Sequence, residues 1–96
     1  MMRVSAGIVR YPDGRILICR RGEGRKNAQL WEFPGGKQEA GESPEDALRR
    51  ELLEELSLPI ADISPLCRRE AQGITFDFLT AAATRAPVLT EHEDYA

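Results

Sequence analysis

Two runs of mainly apolar, β-branched residues open the chain, and a short polar segment separates them. The runs are 4–10 (VSAGIVR) and 15–20 (RILICR), and their composition is typical of β-strands. The separating segment contains Pro, Asp and Gly in the order of a tight turn. We therefore predict a β-hairpin in which 4–10 pairs with 15–20.

Two further strands follow from the same kind of pattern. The segment 30–33 (LWEF) predicts a short strand that is stopped by PGG at 34–36. The segment 67–84 reads as strand material and is strongest over 74–82 (ITFDFLTAA). The tail after 84 is polar and predicts no closing element. The remaining polar segments predict loops: 22–29 and 37–46.

The clearest signals along the chain predict one helix. Ser43 is a favoured N-cap residue, and Pro44 suits the first helical position. Two acidic residues then fall in the first turn, where the helix dipole favours negative charge. We expect the helix to end near 56–58, because Pro59 disfavours its continuation.

A helical wheel separates an apolar stripe from an acidic cluster. At about 100° per residue, four leucines form a stripe that predicts the buried face: Leu48, Leu52, Leu53 and Leu56. Glu51, Glu54 and Glu55 share an arc of about 100° beside this stripe. One interpretation is a solvated face paired with Arg49 and Arg50. The other is an oxygen-ligand site for a hard divalent cation such as Mg²⁺.

Composition restricts the classes of partner. The 96 residues suffice for one domain, and 42% of them are hydrophobic. The net charge of −3 provides no basic field for gripping a nucleic-acid polymer. No apolar run is long enough to predict a membrane span. Cys19 and Cys67 fit no metal-ligand spacing; we expect Cys19 to be a buried free thiol and the protein to be cytoplasmic.

The loop and helix together carry a long motif. Gly36 is followed after five residues by Glu42, and after seven more by REL and then EE, within GKQEAGESPEDALRRELLEELSL at 36–58. This segment resembles the Nudix box, GX5EX7REUXEEXGU, in which U is a bulky aliphatic residue. The late glycine of the pattern is Ser57 here, at a position where a left-handed residue often ends the helix. The stretch LWEFPGGK at 30–37 is also similar to the MutT-like branch of the family.

The resemblance implies a fold. It predicts an α+β Nudix domain over 1–96, an α/β/α sandwich with a mixed central sheet and a catalytic loop-helix. The chain ends where this family continues with another strand and a C-terminal helix, so we expect a C-terminally short domain. Exposed apolar surface would favour association, and we therefore predict a homodimer or a marginally stable monomer.

The resemblance also assigns roles to individual residues. It implies catalysis by Glu54, Glu51 and Arg50, with Glu54 favoured as the base over Glu51 or a later loop acid. It implies Mg²⁺, or alternatively Mn²⁺, held by the Gly35 carbonyl and four carboxylates: Glu51, Glu54, Glu55 and, in the polar tail loop, Glu93. Gly36 and Glu42 are expected to support the loop. The expected substrate contacts are Arg20, Lys37, Phe33 and Phe78, although core packing is an alternative for the aromatics.

The function implied by this resemblance is Mg²⁺-dependent hydrolysis of a nucleoside diphosphate linked to X. A nucleoside triphosphate such as 8-oxo-dGTP, cleaved to monophosphate and pyrophosphate, is the leading substrate. CTP-type nucleotides, dinucleoside compounds and nucleotide sugars are alternatives. A nucleotide-binding or regulatory module without turnover is a different class, against which the intact REXXEE argues.

Overall fold

The computed structural model of the protein describes residues 2–21, 31–87 and 92–95, with the side chains at 20, 21, 31 and 92–95 outside that description. The described residues form one helix and seven strands. The helix α1 is Pro44–Leu56. The strands are β1 (Met2–Arg10), β2 (Cys19–Arg21), β3 (Trp31–Glu32), β4 (Gly35–Lys37), β5 (Ala61–Ala71), β6 (Ile74–Ala82) and β7 (His92–Tyr95).

The strands form two sheets. The larger sheet has the order β4-β1-β6-β5, and the smaller has the order β3-β2-β7. β1 and β6 run parallel over their whole length, from the Met2–Ile74 pair to the Arg10–Ala82 pair. The pairs β1–β4 and β5–β6 are antiparallel. This mixed sheet with a helix confirms the predicted α+β class.

Helix α1 covers one face of the larger sheet, where the core lies. Side chains alternate between the two faces of a strand, and every second residue of β6 is buried. Gly7 of β1 faces Leu48 so closely that a Cβ there would lie 2.9 Å from the Leu48 Cδ2 atom. The absence of a side chain at Gly7 therefore lets the helix approach the sheet.

The helix begins and ends as predicted. The Ser43 hydroxyl accepts a hydrogen bond from the Asp46 backbone N–H at 3.1 Å, which confirms the N-cap. Ser57 ends the helix in the left-handed region, with φ 48°, and its N–H donates to the Leu53 carbonyl at 3.1 Å. Nowhere in the described ranges is there a helix long and apolar enough to cross a membrane.

The predicted apolar stripe is right at three of its four positions. Leu48, Leu52 and Leu56 are fully buried. Leu53 is 47% exposed, so its assignment to the core stripe was wrong. Leu53 lies at the edge of the apolar stripe on the wheel, where the surface of the helix faces solvent and no longer faces the sheet.

The predicted hairpin was wrong beyond its turn. Tyr11 N–H donates to the Arg15 carbonyl at 2.9 Å, and Leu17 N–H donates to the Val9 carbonyl at 3.0 Å. After these bonds the chain leaves β1, and β2 pairs with β3 and β7 in the smaller sheet. The reason is that both edges of β1 are occupied elsewhere, one by β4 and the other by β6.

Three other strand predictions need correction. The PGG segment was predicted only to stop a strand, but its two glycines begin another one, β4, at Gly35–Lys37. The last residue of β4 is the first residue of the predicted 37–46 loop. The 67–84 segment contains two strands, since Gln72 (φ 51°) and Gly73 (φ 78°) form a turn between β5 and β6. The polar tail, predicted to have no closing element, contains β7, so the position of Glu93 lies in a strand and not in a loop.

Cys19 is a fully buried free thiol, as predicted. Burial raises its pKa to about 12, and the nearby negative charges of Glu32 and Glu55 act in the same direction. The thiol is therefore held in its neutral form within the core.

Candidate active site

The glycine pair at the start of β4 brings the backbone against two neighbours. Gly35 has φ 153°, and a Cβ there would clash with the backbone of β1 at Ser5. A Cβ on Gly36 would lie within 2.8 Å of all three atoms of the Glu51 carboxylate. Only glycine leaves room at Gly36 for this contact between strand and helix side chain.

Arg50 connects α1 to the loop that precedes it. Its Nε donates to Glu42 Oε2 at 2.7 Å, and its Nη2 donates to Glu42 Oε1 at 2.9 Å. Nη2 also donates to the Lys37 carbonyl at 3.0 Å. The hydrogen bond from Arg50 lowers the pKa of Glu42 to about 2, and the same contact raises the pKa of Arg50.

The same guanidinium reaches two carboxylates of the acidic cluster. Nη1 of Arg50 donates to Glu51 Oε1 and to Glu54 Oε2, each at 3.1 Å. The Glu51 side chain is only 12% exposed, whereas that of Glu54 is 59% exposed. Arg50 thus fixes the orientation of a nearly buried carboxylate and pairs with a solvent-facing one.

A cavity of about 570 Å³ lies beside this network. Polar and glycine residues contribute one part of its lining: Ser5, Glu32, Gly35, Gly36, Lys37, Glu51 and Glu55. Apolar residues contribute the rest: Met2, Val4, Ala6, Phe33, Phe76 and Phe78. The rings of Phe76 and Phe78 stack, with centroids 6.2 Å apart and planes inclined at 21°. One cavity is therefore lined by both carboxylates and aromatic rings.

Comparison with known proteins identifies the fold family. The family model described as "NUDIX domain" matches residues 1–93. The chain belongs to the Nudix family. Residues 36–58 hold the Nudix box, and the corresponding loop and helix carry Gly36, Glu42, Arg50 and the glutamates described above.

Individual relatives are similar over a shorter region. The 8-oxo-dGTP diphosphatase of Haemophilus influenzae is 52% identical over 58 residues, which are 60% of this chain and 43% of that protein. The CTP pyrophosphohydrolase of Escherichia coli is 48% identical over 58 residues, 60% of this chain and 42% of that protein. The matched regions thus span less than half the length of these relatives.

A solved structure extends the similarity to nearly the whole of this chain. A MutT structure from work on Aliivibrio salmonicida and Vibrio cholerae superposes with a TM-score of 0.83 at 32% identity. The match covers 99% of this chain and 77% of that one. The arrangement of sheets and helix described above is therefore that of a Nudix domain.

The donor chemistry of the site fits a hard divalent cation. Nudix hydrolases generally need divalent metal ions. Among residues 2–19 and 32–87, no three His, Cys, Asp or Glu side chains form a ready-made metal cage. Mg²⁺ characteristically uses one or two carboxylates together with waters and substrate phosphates. Glu51 and Glu55, which line the cavity beside the Gly35–Gly36 backbone, match that requirement.

The structure places most of the predicted site residues near one another. Those that line the cavity are Phe33, Gly35, Gly36, Lys37, Glu51, Glu55 and Phe78. Glu42, Arg50 and Glu54 form the adjoining hydrogen-bond network, and Glu54 lies outside the cavity lining. The side chains of Arg20 and Glu93 lie outside the described residues, as does that of Trp31.

Sequence reasoning missed several lining residues. Phe76 is not among the predicted substrate contacts, yet it is half-buried, lines the cavity and lies on the same face of β6 as Phe78, two positions along. The period of two in a strand was the available signal for this shared face. Met2, Val4 and Ala6 of β1 were also missed. Their exposure depends on which strands lie beside β1, and this strand pairing could not be predicted from the sequence.

Proposed function

We propose that this Nudix domain hydrolyses a nucleoside diphosphate linked to X. The proposed substrate is a nucleoside triphosphate such as 8-oxo-dGTP, which is cleaved to the monophosphate and pyrophosphate. The observation that carries the proposal is that one cavity is lined both by the carboxylates of Glu51 and Glu55 and by the rings of Phe33, Phe76 and Phe78. The name of the H. influenzae relative, 8-oxo-dGTP diphosphatase, supports the choice of substrate.

The carboxylates in and beside the cavity would hold the metal. We assign Glu51, Glu54, Glu55 and the Gly35 carbonyl as ligands of Mg²⁺, with Mn²⁺ as a substitute and Glu93 as a further ligand. When bound, such an ion neutralises phosphate charge and lowers the pKa of a coordinated water. Glu54 must exchange its Arg50 partner to take this role, and its exposed position allows that movement.

The protein's own groups supply orientation and proton transfer. Arg50 keeps the Glu51 carboxylate against β4 while Glu42 anchors the guanidinium. The Glu54 carboxylate is the base that takes the proton of the attacking water, with Glu51 as the alternative. Lys37 lines the same cavity as Glu51 and Glu55, where its ammonium can meet phosphate, and Arg20 is proposed to do the same.

The aromatic residues that line the cavity would select the nucleobase. Phe33 and Phe78 offer ring faces on which a base can stack, and such stacking tolerates different bases. A pyrimidine nucleotide is therefore the second candidate. The 48% identity to the E. coli CTP pyrophosphohydrolase favours including CTP.

A nucleotide panel with Mg²⁺ tests the proposal. We expect monophosphate and pyrophosphate from 8-oxo-dGTP, identified by chromatography of the products. Release of inorganic phosphate alone would contradict the assigned bond. Nucleotide binding without any product would identify a binding module instead.

Substitutions of the acids test the assignment of residues. Glu54→Gln and Glu51→Gln should each lower kcat by about 10²- to 10⁴-fold, because proton transfer or metal binding is lost. Asp46→Asn is the matched control, since Asp46 is exposed on the first turn of the same helix and outside the cavity. Unchanged turnover in both glutamine variants would remove these glutamates from the mechanism.

Two further expectations stay predictions. The homodimer can be checked by sedimentation velocity, where a single monomeric species at micromolar concentration would contradict it. The cytoplasmic location rests on the free thiols of Cys19 and Cys67. Fractionation of the native host would test it.

A further inference from the structure

A buried carboxylate on β6 lies outside the Nudix box. Asp77 is 6% exposed and accepts hydrogen bonds from three elements. Arg68 Nε of β5 donates to Oδ1 at 2.7 Å. Gln38 Nε2 donates to Oδ2 at 2.7 Å, and Arg3 Nη2 of β1 donates to the same oxygen at 3.3 Å. Both oxygens of the Asp77 carboxylate therefore accept hydrogen bonds, and the donors come from both neighbouring strands and from the loop after β4.

Gln38 is the first residue after β4 and opens the loop that leads to α1. Its backbone N–H donates to the Arg3 carbonyl at 2.8 Å, and its Nε2 also contacts the Ser5 hydroxyl oxygen at 3.1 Å. The Ser5 hydroxyl in turn donates to the carbonyl of Pro44 at 2.9 Å, the first residue of the helix. Asp77, Gln38 and Ser5 thus connect both ends of the 38–43 loop to the sheet.

The loop held in this way carries the anchor of Arg50. Glu42 lies within it, and its carboxylate takes two hydrogen bonds from the guanidinium. The guanidinium then contacts Glu51 and Glu54. A shift of the loop would consequently pass to Glu42, from Glu42 to Arg50, and from Arg50 to the acids.

We propose that Asp77 and Gln38 are positioning residues for the acidic cluster. They act through the 38–43 loop and touch neither substrate nor metal. The proposal rests on the proposed function, because it assumes that Glu51 and Glu54 serve a metal-dependent hydrolase.

Stability alone does not account for this arrangement. Replacing a buried ion pair by apolar side chains of similar volume is often neutral or stabilising. An apolar residue at position 77 could not accept the hydrogen bond that the Gln38 side chain donates. A carboxylate oxygen 2.7 Å from the Gln38 amide fixes where the loop begins. Groups that orient ligands in this indirect way strongly affect metal affinity in other sites.

The test compares two substitutions of Gln38. Gln38→Met keeps the side-chain length but removes the donor, whereas Gln38→Lys restores a donor toward Asp77. The direct readout is Mn²⁺ affinity without nucleotide, measured by electron paramagnetic resonance. The second readout separates kcat from KM for the nucleotide triphosphate.

We expect Gln38→Met to weaken Mn²⁺ binding and to lower kcat by about tenfold each, with KM changed less than about twofold. Gln38→Lys should recover most of both losses. Asp77→Asn should behave like Gln38→Met if it folds. If it does not fold, the comparison of Gln38→Met with Gln38→Lys tests the proposal. Asp13→Asn is the control, because it breaks an exposed 2.7 Å pair with Arg15 in the β1–β2 turn.

Two results would overturn the proposal. The first is a Gln38→Met protein with wild-type Mn²⁺ affinity and kcat and only a lower melting temperature, which would make the role purely structural. The second is an equal loss in the Met and Lys variants, which would implicate side-chain shape instead of the donor. Wild-type Mn²⁺ binding without turnover on any nucleotide would reject the proposed function, and the Mn²⁺ comparison would still decide the role of Gln38. Absence of Mn²⁺ binding by the wild type without nucleotide would overturn the positioning role, whereas the nucleotide panel would still decide the proposed function.

Discussion

Arg50 and Glu42 are joined by two parallel hydrogen bonds, of 2.7 and 2.9 Å, across eight residues of the chain. The pair fastens the middle of α1 to the loop in front of it. Because Arg50 also contacts Glu51 and Glu54, one planar guanidinium sets the relative position of three carboxylates. A point charge without this fork geometry could not do so.

Arg50→Lys should therefore lower kcat by about 10- to 100-fold, since the ammonium cannot reproduce the paired bonds that orient the acids. Steady-state hydrolysis at saturating Mg²⁺ measures the effect. Arg49→Lys is the matched control: Arg49 is exposed on the same helix and donates to the Ile60 carbonyl at 3.1 Å, away from the cavity. Equal losses in the two variants would argue against a special role for the fork.

Gly36→Ala should displace the Glu51 carboxylate, because a Cβ there would overlap it. We expect kcat to fall by about 10-fold or more while the fold persists. Gly14→Ala provides the comparison, since Gly14 has φ 89° in an open turn with no atom within 4 Å of a built Cβ. That variant should lose stability and keep its kcat. Circular dichroism and kinetics on both proteins would distinguish the two effects, and a fully active Gly36→Ala protein would contradict the close approach.

Leu48→Ala and Leu53→Ala should differ sharply in stability. Leu48 is fully buried against Gly7, so its truncation should lower the free energy of unfolding by about 2–5 kcal/mol. Leu53 is 47% exposed, and its truncation should cost less than about 1 kcal/mol. Urea unfolding of both variants measures the difference. Similar values would mean that α1 is rotated relative to the packing described here.

Acid should weaken the fold through Glu42. Hydrogen bonding from Arg50 lowers its pKa from the ordinary 4.5 to about 2. A lowered folded-state pKa adds stability above the unfolded value, and that stability is lost as the pH falls through the folded value. Between pH 4.5 and 2, the wild type should therefore lose more stability than Glu42→Gln. The measurement is the melting temperature of both proteins across this pH range. If the Arg50 contact were absent, the two melting temperatures would fall in parallel.

The start of the helix could be predicted to the residue, and its end to within two residues, because its signals are local. Ser43 and Pro44 mark the first turn, and Ser57 ends the helix before Pro59. The resemblance of 36–58 to the Nudix box likewise implied that Gly36 and Glu51 belong to one site, and the structure has them in close contact. No distant part of the chain was needed for either inference.

The strands depended on distant residues, and there prediction was weaker. The segment 15–20 has the apolar character of a strand, but the partner expected for it, β1, is already paired on both edges. Asp77 looked like one polar residue within ITFDFLTAA, and only folding brings Arg3, Arg68 and Gln38 to it. The polar tail carries no hydrophobic pattern, so its pairing with β2 left no sequence signal.

The parallel pairing of β1 with β6 has a consequence for biosynthesis. Met2 pairs with Ile74, which is translated 72 residues later. The central sheet therefore cannot close until β6 has been made, and such distant pairings slow folding. The glycine strand β4 that meets Glu51 is paired with β1, so the nascent chain should complete its site only after β6 has emerged.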